Sequence, residues 1–402
     1  MNVLLCGGVR DHHDFLYQAG YKVTWLLNRN SLAVEDLSSS ARRLIAYAME
    51  DSYSLLTGQV LELHQQLNFQ RVFAFHDDSQ ELAAHLAHAI GCDFPISHAT
   101  MRNTRNKIAT RLALDSAGVP SCWLAEATDK QALLSILRQS ELAKVIIKPS
   151  DGTGSLGVVA LEEPASIDES WLDEHVAGYP VLVEEFLYGK EFSVESYSVY
   201  GRHHVLGITE KLIDAASFIE IGHVFPAELE PPVTELITAY VASVLAATGI
   251  EHCVSHTEIM LTDQGPRLIE THTRVGGDYI PHLVRHVTGV DLCEIGTRLQ
   301  EGHWSSYFVE QYTVPASDGW CGIRYLLPDA PGRVVKSVHG VERARALSGV
   351  MQAHALRKPG ERIKSLVENF PRTAYVIAKS SSRSELDGVL SDAIGSIHYE
   401  YE

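Results

Sequence analysis

Short apolar runs alternate with amphipathic segments through the first hundred residues. The pattern predicts three strands, at residues 3–6, 23–27 and 72–75, and two helices, at residues 15–19 and 81–90. Strands that alternate with helices indicate a parallel, doubly wound sheet with helices on its faces. We therefore predict an N-terminal α/β domain over residues 1–100.

Two polar or glycine-rich segments follow strands of this predicted sheet. Gly7 and Gly8 come directly after the first strand, and His76, Asp77 and Asp78 come after the third. Ligands of such sheets bind beside the carboxyl ends of the strands, so we expect a cleft there. The alternative for the glycines is a tight strand-to-helix turn, because two glycines lack the full dinucleotide-binding fingerprint.

Beyond residue 100 the apolar pattern predicts mostly strands, with two helices among them. The predicted helices lie at residues 104–117 and 235–248. The predicted strands lie at residues 145–148, 158–161, 181–185, 191–199, 254–261 and 267–272. The last two strands flank a turn at residues 262–265 and should form a hairpin. Residues 304–320 have mixed character and are interpreted as a linker before a final set of short strands and a helix.

The strongest chemical signal lies in this hairpin. Glu258 comes six residues before Gln264, near the centre of the turn, and Glu270 comes six residues after it. In a regular hairpin the two glutamates are opposite each other, about 4.5–5.5 Å apart at Cβ, where like charges are destabilising. A hard divalent cation such as Mg²⁺ would neutralise them. The alternative is an exposed hairpin whose glutamates are solvated, but the apolar residues beside them favour a buried setting.

A lysine and a glycine-rich loop give a second signal. Lys148 ends an apolar strand and requires an anion, and residues 151–157 contain three glycines and two hydroxyl side chains. Glycines allow backbone N–H groups to close on phosphates and allow a loop to move as a lid. The segment is not a Walker A loop, because no Gly-Lys-Ser/Thr ends it. The alternative is a flexible surface turn.

The segment at residues 181–191 gives a third, weaker signal. An edge backbone there could pair with a purine, and a carboxylate could bind ribose hydroxyls. The alternative is a plain two-stranded element, which this segment alone would favour. Lys107, on the preceding helix, is unremarkable by itself.

Taken in order, these segments resemble the ATP-grasp superfamily. The resemblance rests on Lys107, Lys148 with its glycine-rich loop, Glu184-Glu185-Phe186, Glu191, Glu258 and the sequence Glu270-x-His272-x-Arg274. The sequence Arg274-Val275-Gly276-Gly277-Asp278, followed by Ile280-Pro281, is similar to the L-amino acid ligases, which form dipeptides. The implied fold combines α/β and α+β parts. It has a doubly wound N-terminal domain (1–100), an ATP-grasp core (101–300) with a lid at about 120–190, and a C-terminal antiparallel-sheet domain (301–402).

The resemblance also implies which residues bind the nucleotide. Lys107 and Lys148 would hold the α- and β-phosphates of ATP, and the loop at 151–157, including Ser155 and Gly157, would fold over the β- and γ-phosphates. Glu191 would bind the ribose. The adenine would meet the backbone of Glu184, Glu185, Phe186 and Leu187.

Metal and substrate sites follow from the same resemblance. Glu258 and Glu270 would bridge two Mg²⁺ ions, and Arg274, together with Lys148, would be catalytic by stabilising the acyl phosphate and the tetrahedral state. Gly276 and Gly277 would cup a substrate carboxylate beside Asp278.

His272 departs from the family pattern, which usually has asparagine at this position. Mg²⁺ prefers oxygen ligands, so an imidazole nitrogen fits it poorly. Three alternatives remain open for His272: it leaves one metal position to water, it favours Mn²⁺, or it contacts the substrate instead.

Composition limits the partners and the location that we expect. The chain has 51 acidic and 33 basic residues, a formal net charge of −18, which disfavours nucleic acid and anionic membrane as partners. The six cysteines contain no C-x-x-C pair and lie in apolar contexts, so we expect reduced thiols and a cytoplasmic protein. A homodimer is a reasonable expectation for such an enzyme.

The sequence therefore predicts an ATP-dependent ligase that joins a small carboxylic acid to an amine through an acyl phosphate. Two alternatives are another ATP-grasp chemistry, such as a carboxylase or a purine-pathway ligase, and a nucleotide-binding regulator without turnover. The base that deprotonates the amine is not identified by sequence, and the candidates are His76, Asp77 and His256.

Overall fold

The computed structural model describes residues 1–31, 43–48, 52–149, 157–214, 219–302, 304, 319–363 and 372–402. Ser155 and most of its glycine-rich loop lie outside this described part, as does most of the predicted linker at residues 304–320. Among the described residues, no helix combines the length and the apolar character needed to cross a membrane.

The N-terminal sheet is parallel, with the strand order β3–β2–β1–β4. Its strands are β1 (Asn2–Cys6), β2 (Lys22–Asn28), β3 (Leu44–Tyr47) and β4 (Arg71–Phe73). The helices beside it are α1 (Arg10–Gln18), α2 (Tyr53–Leu67) and α3 (Asp77–Ala89). After β1 the chain adds β2 and then β3 on one side of β1, and β4 later pairs with the other side of β1. The expected ligand cleft therefore lies where the ends of β1 and β4 meet.

Gly7 is required at this point because two backbone segments approach closely. Its φ is +62°, and a Cβ atom there would lie 2.6 Å from the Cβ of Ser79 at the start of α3. No side chain larger than hydrogen fits such a distance. The tight-turn interpretation of Gly7 accounts for both observations.

The single helix predicted at residues 104–117 is wrong, because two helices meet there. They are α4 (His98–Arg105) and α5 (Lys107–Ser116), and Asn106 between them has an extended backbone. The Asn106 side chain accepts a hydrogen bond from the Ala109 N–H at 2.9 Å and so caps α5. This break places Lys107 in the first turn of a new helix.

A four-stranded antiparallel sheet follows, with the order β5–β8–β6–β7. Its strands are β5 (Leu124–Ala127), β6 (Lys144–Pro149), β7 (Val159–Glu162) and β8 (Val181–Glu185). Two helices, α6 (Lys130–Arg138) and α7 (Glu169–His175), complete this unit. It has a hydrophobic core of its own, which includes Leu133, Leu137, Val145 and Val183. A separate core is what a lid subdomain needs in order to move as one body.

The largest sheet has eight antiparallel strands in the order β13–β12–β9–β10–β11–β14–β17–β16. These strands, with the β15–β18 pair, are β9 (Lys190–Val199), β10 (Arg202–Ile213), β11 (Glu220–Phe225), β12 (Val254–Thr262), β13 (Gly265–His272), β14 (Trp320–Leu326), β15 (Val335–His339), β16 (Val350–Ala355), β17 (Ala374–Ser380) and β18 (His398–Tyr401). The helices are α8 (Pro231–Thr248), α9 (Ile280–Thr288), α10 (Leu292–Gln300), α11 (Val341–Arg345) and α12 (Arg383–Gly395). The sheet continues across the predicted domain boundary at residue 300. The predicted fold class, a parallel N-terminal sheet joined to a large antiparallel sheet, is confirmed.

Alternation along the strands separates an apolar face from a charged face in this sheet. Phe192, Ile208 and Ile259 pack with α8 on one face. Because neighbouring side chains point to opposite faces, Glu191 and Glu258 lie on the other face. The functional candidates therefore share one side of the sheet, and α8 supports them from behind.

Gln300 should make a measurable contribution to docking the N-terminal sheet. Its side chain accepts a hydrogen bond from the Ala74 N–H and donates one to the Ala74 C=O, both at 2.9 Å and both buried. Gln300→Leu would leave both backbone groups without a partner, so we expect a loss of about 2–5 kcal/mol in the free energy of unfolding. Urea denaturation measures this loss. The control Gln139→Leu changes an exposed side chain and should stay within about 0.5 kcal/mol of the wild type.

Candidate active site

The β12–β13 hairpin brings the two predicted metal glutamates together. Glu258 is directly opposite Glu270, and His256 is directly opposite His272. A bulge between Glu258 and Ile259 shifts the strand register on the side toward the turn. The pairs Glu258–Glu270 and His256–His272 lie on the other side of the bulge and stay directly opposite. The predicted pairing of the glutamates is therefore confirmed, and four ionisable side chains share one face of the hairpin.

Lys211 neutralises much of the negative charge on this face. Its Nζ lies 2.5 Å from Glu191, 2.8 Å from Glu220 and 2.7 Å from Glu258, and its side chain is only 1% exposed. Burial alone would lower the pKa of Lys211, but the three carboxylates outweigh it and hold that pKa well above its usual range. The sequence pattern gave no indication of Lys211, because it did not predict the strand β10 that carries this lysine.

Two histidines connect the hairpin to buried carboxylates. Nε2 of His256 lies 3.0 Å from Glu258, and its Nδ1 lies 2.7 Å from Glu195. Nε2 of His272 lies 3.1 Å from Glu270, and its Nδ1 lies 2.9 Å from Asp77. Burial would lower the pKa of each imidazole, but the flanking carboxylates raise it to about 10 for His256 and about 9 for His272.

Asp77 brings the N-terminal domain into the site. Its Oδ2 accepts hydrogen bonds from His272 Nδ1 and from Arg274 Nε, each at 2.9 Å. Although burial opposes the change, these two partners lower the pKa of Asp77 to about 2. Arg274 also donates to the Val275 carbonyl oxygen at 2.9 Å. The guanidinium group is thus held by two acceptors beside the paired glutamates.

Lys107 and Lys148 are held by different carboxylates. Lys107 Nζ lies 3.8 Å from Glu270, so the break before α5 brings this lysine to the paired glutamates. Lys148 forms an ion pair with the buried Glu184, and Arg111 Nη2 approaches the same carboxylate at 3.4 Å. The anion that Lys148 required is thus Glu184 in this structure, and the sequence pattern did not indicate Arg111.

The predicted edge at the adenine segment is wrong for Glu184 and Glu185. Strand β8 lies inside its sheet, paired with β5 on one side and β6 on the other. Their backbone groups therefore belong to the sheet, and Phe186 and Leu187 follow the end of the strand. The Phe186 ring lies under Lys144 Nζ, which is 4.0 Å from its centroid. The adenine contact stays a prediction, and Gly157, the described end of the glycine-rich loop, stays one too.

The segment after Arg274 is shaped by close packing and ion pairs. A Cβ atom on Gly276 would lie 2.8 Å from His256 Nδ1, so only glycine fits there, whereas Gly277 has open space around it. Asp278 Oδ2 lies 3.2 Å from His223 Nε2 and 2.6 Å from Arg372 Nη1. The predicted substrate role of Gly276, Gly277 and Asp278 stays a prediction.

A second ionic cluster adjoins this segment and was also missed by sequence. Arg372 contacts Glu220 at 3.2 Å, and its guanidinium carbon lies 3.9 Å from the centroid of the Tyr325 ring. Glu220 also contacts Lys211, which joins this cluster to the paired glutamates. Its residues come from β10, β11, β14 and the C-terminal region. Sequence spacing contains no signal that would assemble them.

The donor groups on the hairpin fit a divalent cation. Two opposed carboxylates supply the ligands that Mg²⁺ prefers, and Lys107 beside Glu270 could bind a phosphate oxygen. Lys211 and the imidazoles balance the charge of the carboxylates. Candidate ligands for a metal ion and for phosphate thus lie close together on one face.

Comparisons with known proteins agree with this geometry. The family model of the ATP-grasp domain matches residues 142–282, and that of the L-amino acid ligase C-terminal domain 2 matches residues 324–402. The chain therefore contains a domain of the ATP-grasp superfamily over residues 142–282. It resembles the L-amino acid ligase branch of that superfamily, as the sequence predicted.

Three similar proteins illustrate the relationship. The uncharacterized protein y4rH of Sinorhizobium fredii is 28% identical over 73% of this chain, which spans 60% of that protein's length. Dapdiamide A synthase of Enterobacter agglomerans is 23% identical, with 79% of this chain and 77% of that protein covered. The crystal structure of the L-amino acid ligase from Bacillus licheniformis superposes with a TM-score of 0.83 at 19% identity, covering 100% of this chain and 98% of that chain.

The raised pKa values of the two hairpin histidines make the stability of this protein dependent on pH. An unfolded histidine has a pKa of about 6.5, so the stabilising ion pairs are fully present below that pH. Their contribution is lost as the pH rises through about 9 to 10, where the folded histidines deprotonate.

We therefore expect His256→Gln to destabilise the metal-free protein at pH 7 and to have a smaller effect at pH 10. Urea unfolding in EDTA at a series of pH values measures the difference between wild type and variant. The exposed His98 provides a control, because His98→Gln should give a small difference that is constant with pH. A His256→Gln difference that grows toward pH 10 would contradict the assigned ion pairs.

Proposed function

We propose that this protein is an ATP-dependent carboxylate–amine ligase that releases ADP and phosphate. Its substrates would be two amino acids, or a small acid and an amino acid. The observation that carries the proposal is the pairing of Glu258 with Glu270 beside Lys107, Lys211 and Arg274. The matches to the ATP-grasp and L-amino acid ligase domains support the same reaction.

ATP-grasp proteins in general use ATP with Mg²⁺. We propose that Glu258 and Glu270 would hold two such ions. The ions would neutralise phosphate oxygens as charge moves from the γ-phosphoryl group to ADP.

Lys107 and Lys148 would hold the α- and β-phosphates. The loop at 151–157 would close over the β- and γ-phosphates, with Phe186-Leu187 meeting the adenine and Glu191 the ribose. Closure must exclude water, since water would hydrolyse the intermediate.

The first chemical step joins the acid to phosphate. A carboxylate oxygen of the acid attacks the γ-phosphorus, the bond from that phosphorus to the β,γ-bridging oxygen breaks, and ADP leaves. Arg274 would stabilise the charge on the acyl phosphate. Asp77 would fix the direction of this guanidinium group through its bond to Nε.

In the second step an amine nitrogen attacks the carbonyl carbon of the acyl phosphate. The tetrahedral state collapses, the carbon–oxygen bond to phosphate breaks, and the amide forms.

The amine must lose its proton to a base. Asp77, with a pKa near 2, is a weak base, and His256 is held between two carboxylates. Burial and the nearby Arg274 lower the pKa of His76, which remains a candidate for the base.

The experiment that tests the proposal is a phosphate-release screen with ATP and Mg²⁺ over pairs of amino acids and small acids. Release that requires both an acid and an amine, with formation of their amide, supports the ligase. Release with bicarbonate alone would favour a carboxylase. No stimulation by any carboxylate would favour a nucleotide-binding regulator.

The expected homodimer stays a prediction.

Glu270→Gln should abolish most ATP turnover while the protein remains folded. The substitution keeps the shape of the side chain but removes the charge that attracts the metal, so we expect at least about a 100-fold loss of phosphate release. Near-normal turnover would remove Glu270 from the metal site. The control is Glu235→Gln on the exposed surface of α8, which should leave the rate unchanged.

Arg274→Ala should reduce the catalytic rate much more than the affinity for ATP. The reason is that Arg274 is placed to bind charge that develops during the reaction, and we expect about a 100-fold loss in kcat. Kinetics and equilibrium nucleotide binding measure the two effects separately. Arg285→Ala, at an exposed arginine on α9, is the control. Equal losses in kcat and in ATP affinity would contradict the catalytic role.

A further inference from the structure

The imidazole of His272 is oriented like a metal ligand. Its Nδ1 is held by Asp77 Oδ2 at 2.9 Å, and its Nε2 faces Glu270 Oε1 at 3.1 Å. In protein metal sites a ligating histidine usually donates its other ring N–H to a carboxylate or a carbonyl, which fixes the tautomer and turns the free nitrogen toward the ion. Asp77 is in the position of that outer carboxylate.

The spacing of the two inner atoms fits neighbouring ligands of one ion. Metal bonds of about 2.1 Å that meet at a right angle place their two ligand atoms roughly 3.0 Å apart. Nε2 of His272 and Oε1 of Glu270 are 3.1 Å apart. An ion could therefore replace the proton that these two atoms share, with little movement of either side chain.

The outer carboxylate is fixed from a second direction. Asp77 Oδ2 also accepts the Nε–H of Arg274 at 2.9 Å, and the Asp77 side chain starts from the first turn of α3 in the N-terminal domain. Two donors on one oxygen keep Asp77 ionised and in place. The ring of His272 is therefore held by the docked N-terminal domain, while Glu270 comes from the large sheet.

His272 stands at the position where the ATP-grasp pattern usually has asparagine. An asparagine oxygen suits Mg²⁺, which prefers oxygen ligands. A nitrogen donor favours first-row transition metals over Mg²⁺, and among them Mn²⁺ shares the preference of Mg²⁺ for carboxylate oxygen. We propose that His272 binds the ion at Glu270 through Nε2, backed by Asp77, and that this position selects Mn²⁺ over Mg²⁺. This inference rests on the proposed function, whose metal site it specifies.

His256 provides an internal comparison, because its contacts mirror those of His272. Its Nδ1 is held by Glu195 and its Nε2 faces Glu258. However, the side chain of His256 is 4% exposed, against 15% for His272. Lys211 lies 2.7 Å from the other oxygen of Glu258, whereas Lys107 is 3.8 Å from the other oxygen of Glu270. Entry of an ion is therefore more restricted on this side. The proposal assigns the nitrogen ligand to His272 alone.

The test uses the full-length protein with Mn²⁺ and ADP, and it needs no turnover. Pulsed electron paramagnetic resonance detects the coupling of bound Mn²⁺ to a directly coordinated ¹⁴N nucleus. Competition of Mg²⁺ against Mn²⁺ gives the ratio of the two affinities. We expect ¹⁴N coupling in the wild type and none in His272→Asn. The preference for Mn²⁺ should fall at least about tenfold in that variant.

Two further variants separate ligation from support. Asp77→Asn keeps an oxygen that can accept the Nδ1–H but removes its charge, so we expect the ¹⁴N coupling to remain and the Mn²⁺ affinity to fall about tenfold. His256→Gln should retain the coupling. Loss of coupling in His256→Gln, with coupling retained in His272→Asn, would overturn the proposal.

Stoichiometric Mn²⁺ binding without ¹⁴N coupling in the wild type would also overturn the proposal. In that case His272 would be a protonated imidazole that forms ion pairs with Glu270 and Asp77, and it would not be a metal ligand. That result would leave the ligase function standing, since the phosphate-release screen is a separate measurement. Conversely, ¹⁴N coupling in a protein that no acid–amine pair stimulates would support the metal site and refute the ligase. The two proposals can therefore fail independently.

Discussion

Two carboxylates that face each other across a β-hairpin impose the main electrostatic constraint on this protein. Glu258 and Glu270 cannot stay ionised at that separation unless positive charge surrounds them. The chain supplies this charge from several directions, through Lys211, Lys107 and His272. In such a site a metal ion with its nucleotide could take over part of the charge compensation, because the carboxylates remain in place.

The same constraint explains why separate parts of the chain meet at the hairpin. The break before α5 brings Lys107 to Glu270, and the start of α3 brings Asp77 to His272 and Arg274. Buried amide contacts reinforce the second of these connections, since Gln80 bonds to Thr273 and Gln300 to Ala74. The N-terminal domain is thus part of the active site as well as a neighbour of it.

Lys211 has a second consequence beyond its charge. It contacts Glu258 on the metal side and Glu220 on the side where His223, Asp278 and Arg372 meet. Lys211 therefore links the paired glutamates to the ion-pair cluster that joins the central sheet to the C-terminal region. Under the proposed function, this lysine would lie between the nucleotide site and a substrate site beside Gly277.

The sequence alone determined the local features, because strand period and turn position depend on neighbouring residues. The alternation in β12 and β13, with one turn between them, was enough to place Glu258 opposite Glu270. The order of the lysines and glutamates was enough to indicate the superfamily. Local pattern failed at Asn106, where a capping side chain interrupts a continuous helical pattern, and at β8, where pairing on both sides removes a free edge.

Only the tertiary structure decided which charges meet. Asp77 and His272 are 195 residues apart, and Lys211 joins three glutamates from three different strands. Nothing in the spacing of such residues specifies their distance in space, because that distance is set by how sheets and domains pack. For the same reason the sequence indicated a metal site but left the partners of His272 open, and its Asp77 partner became visible only in the folded chain.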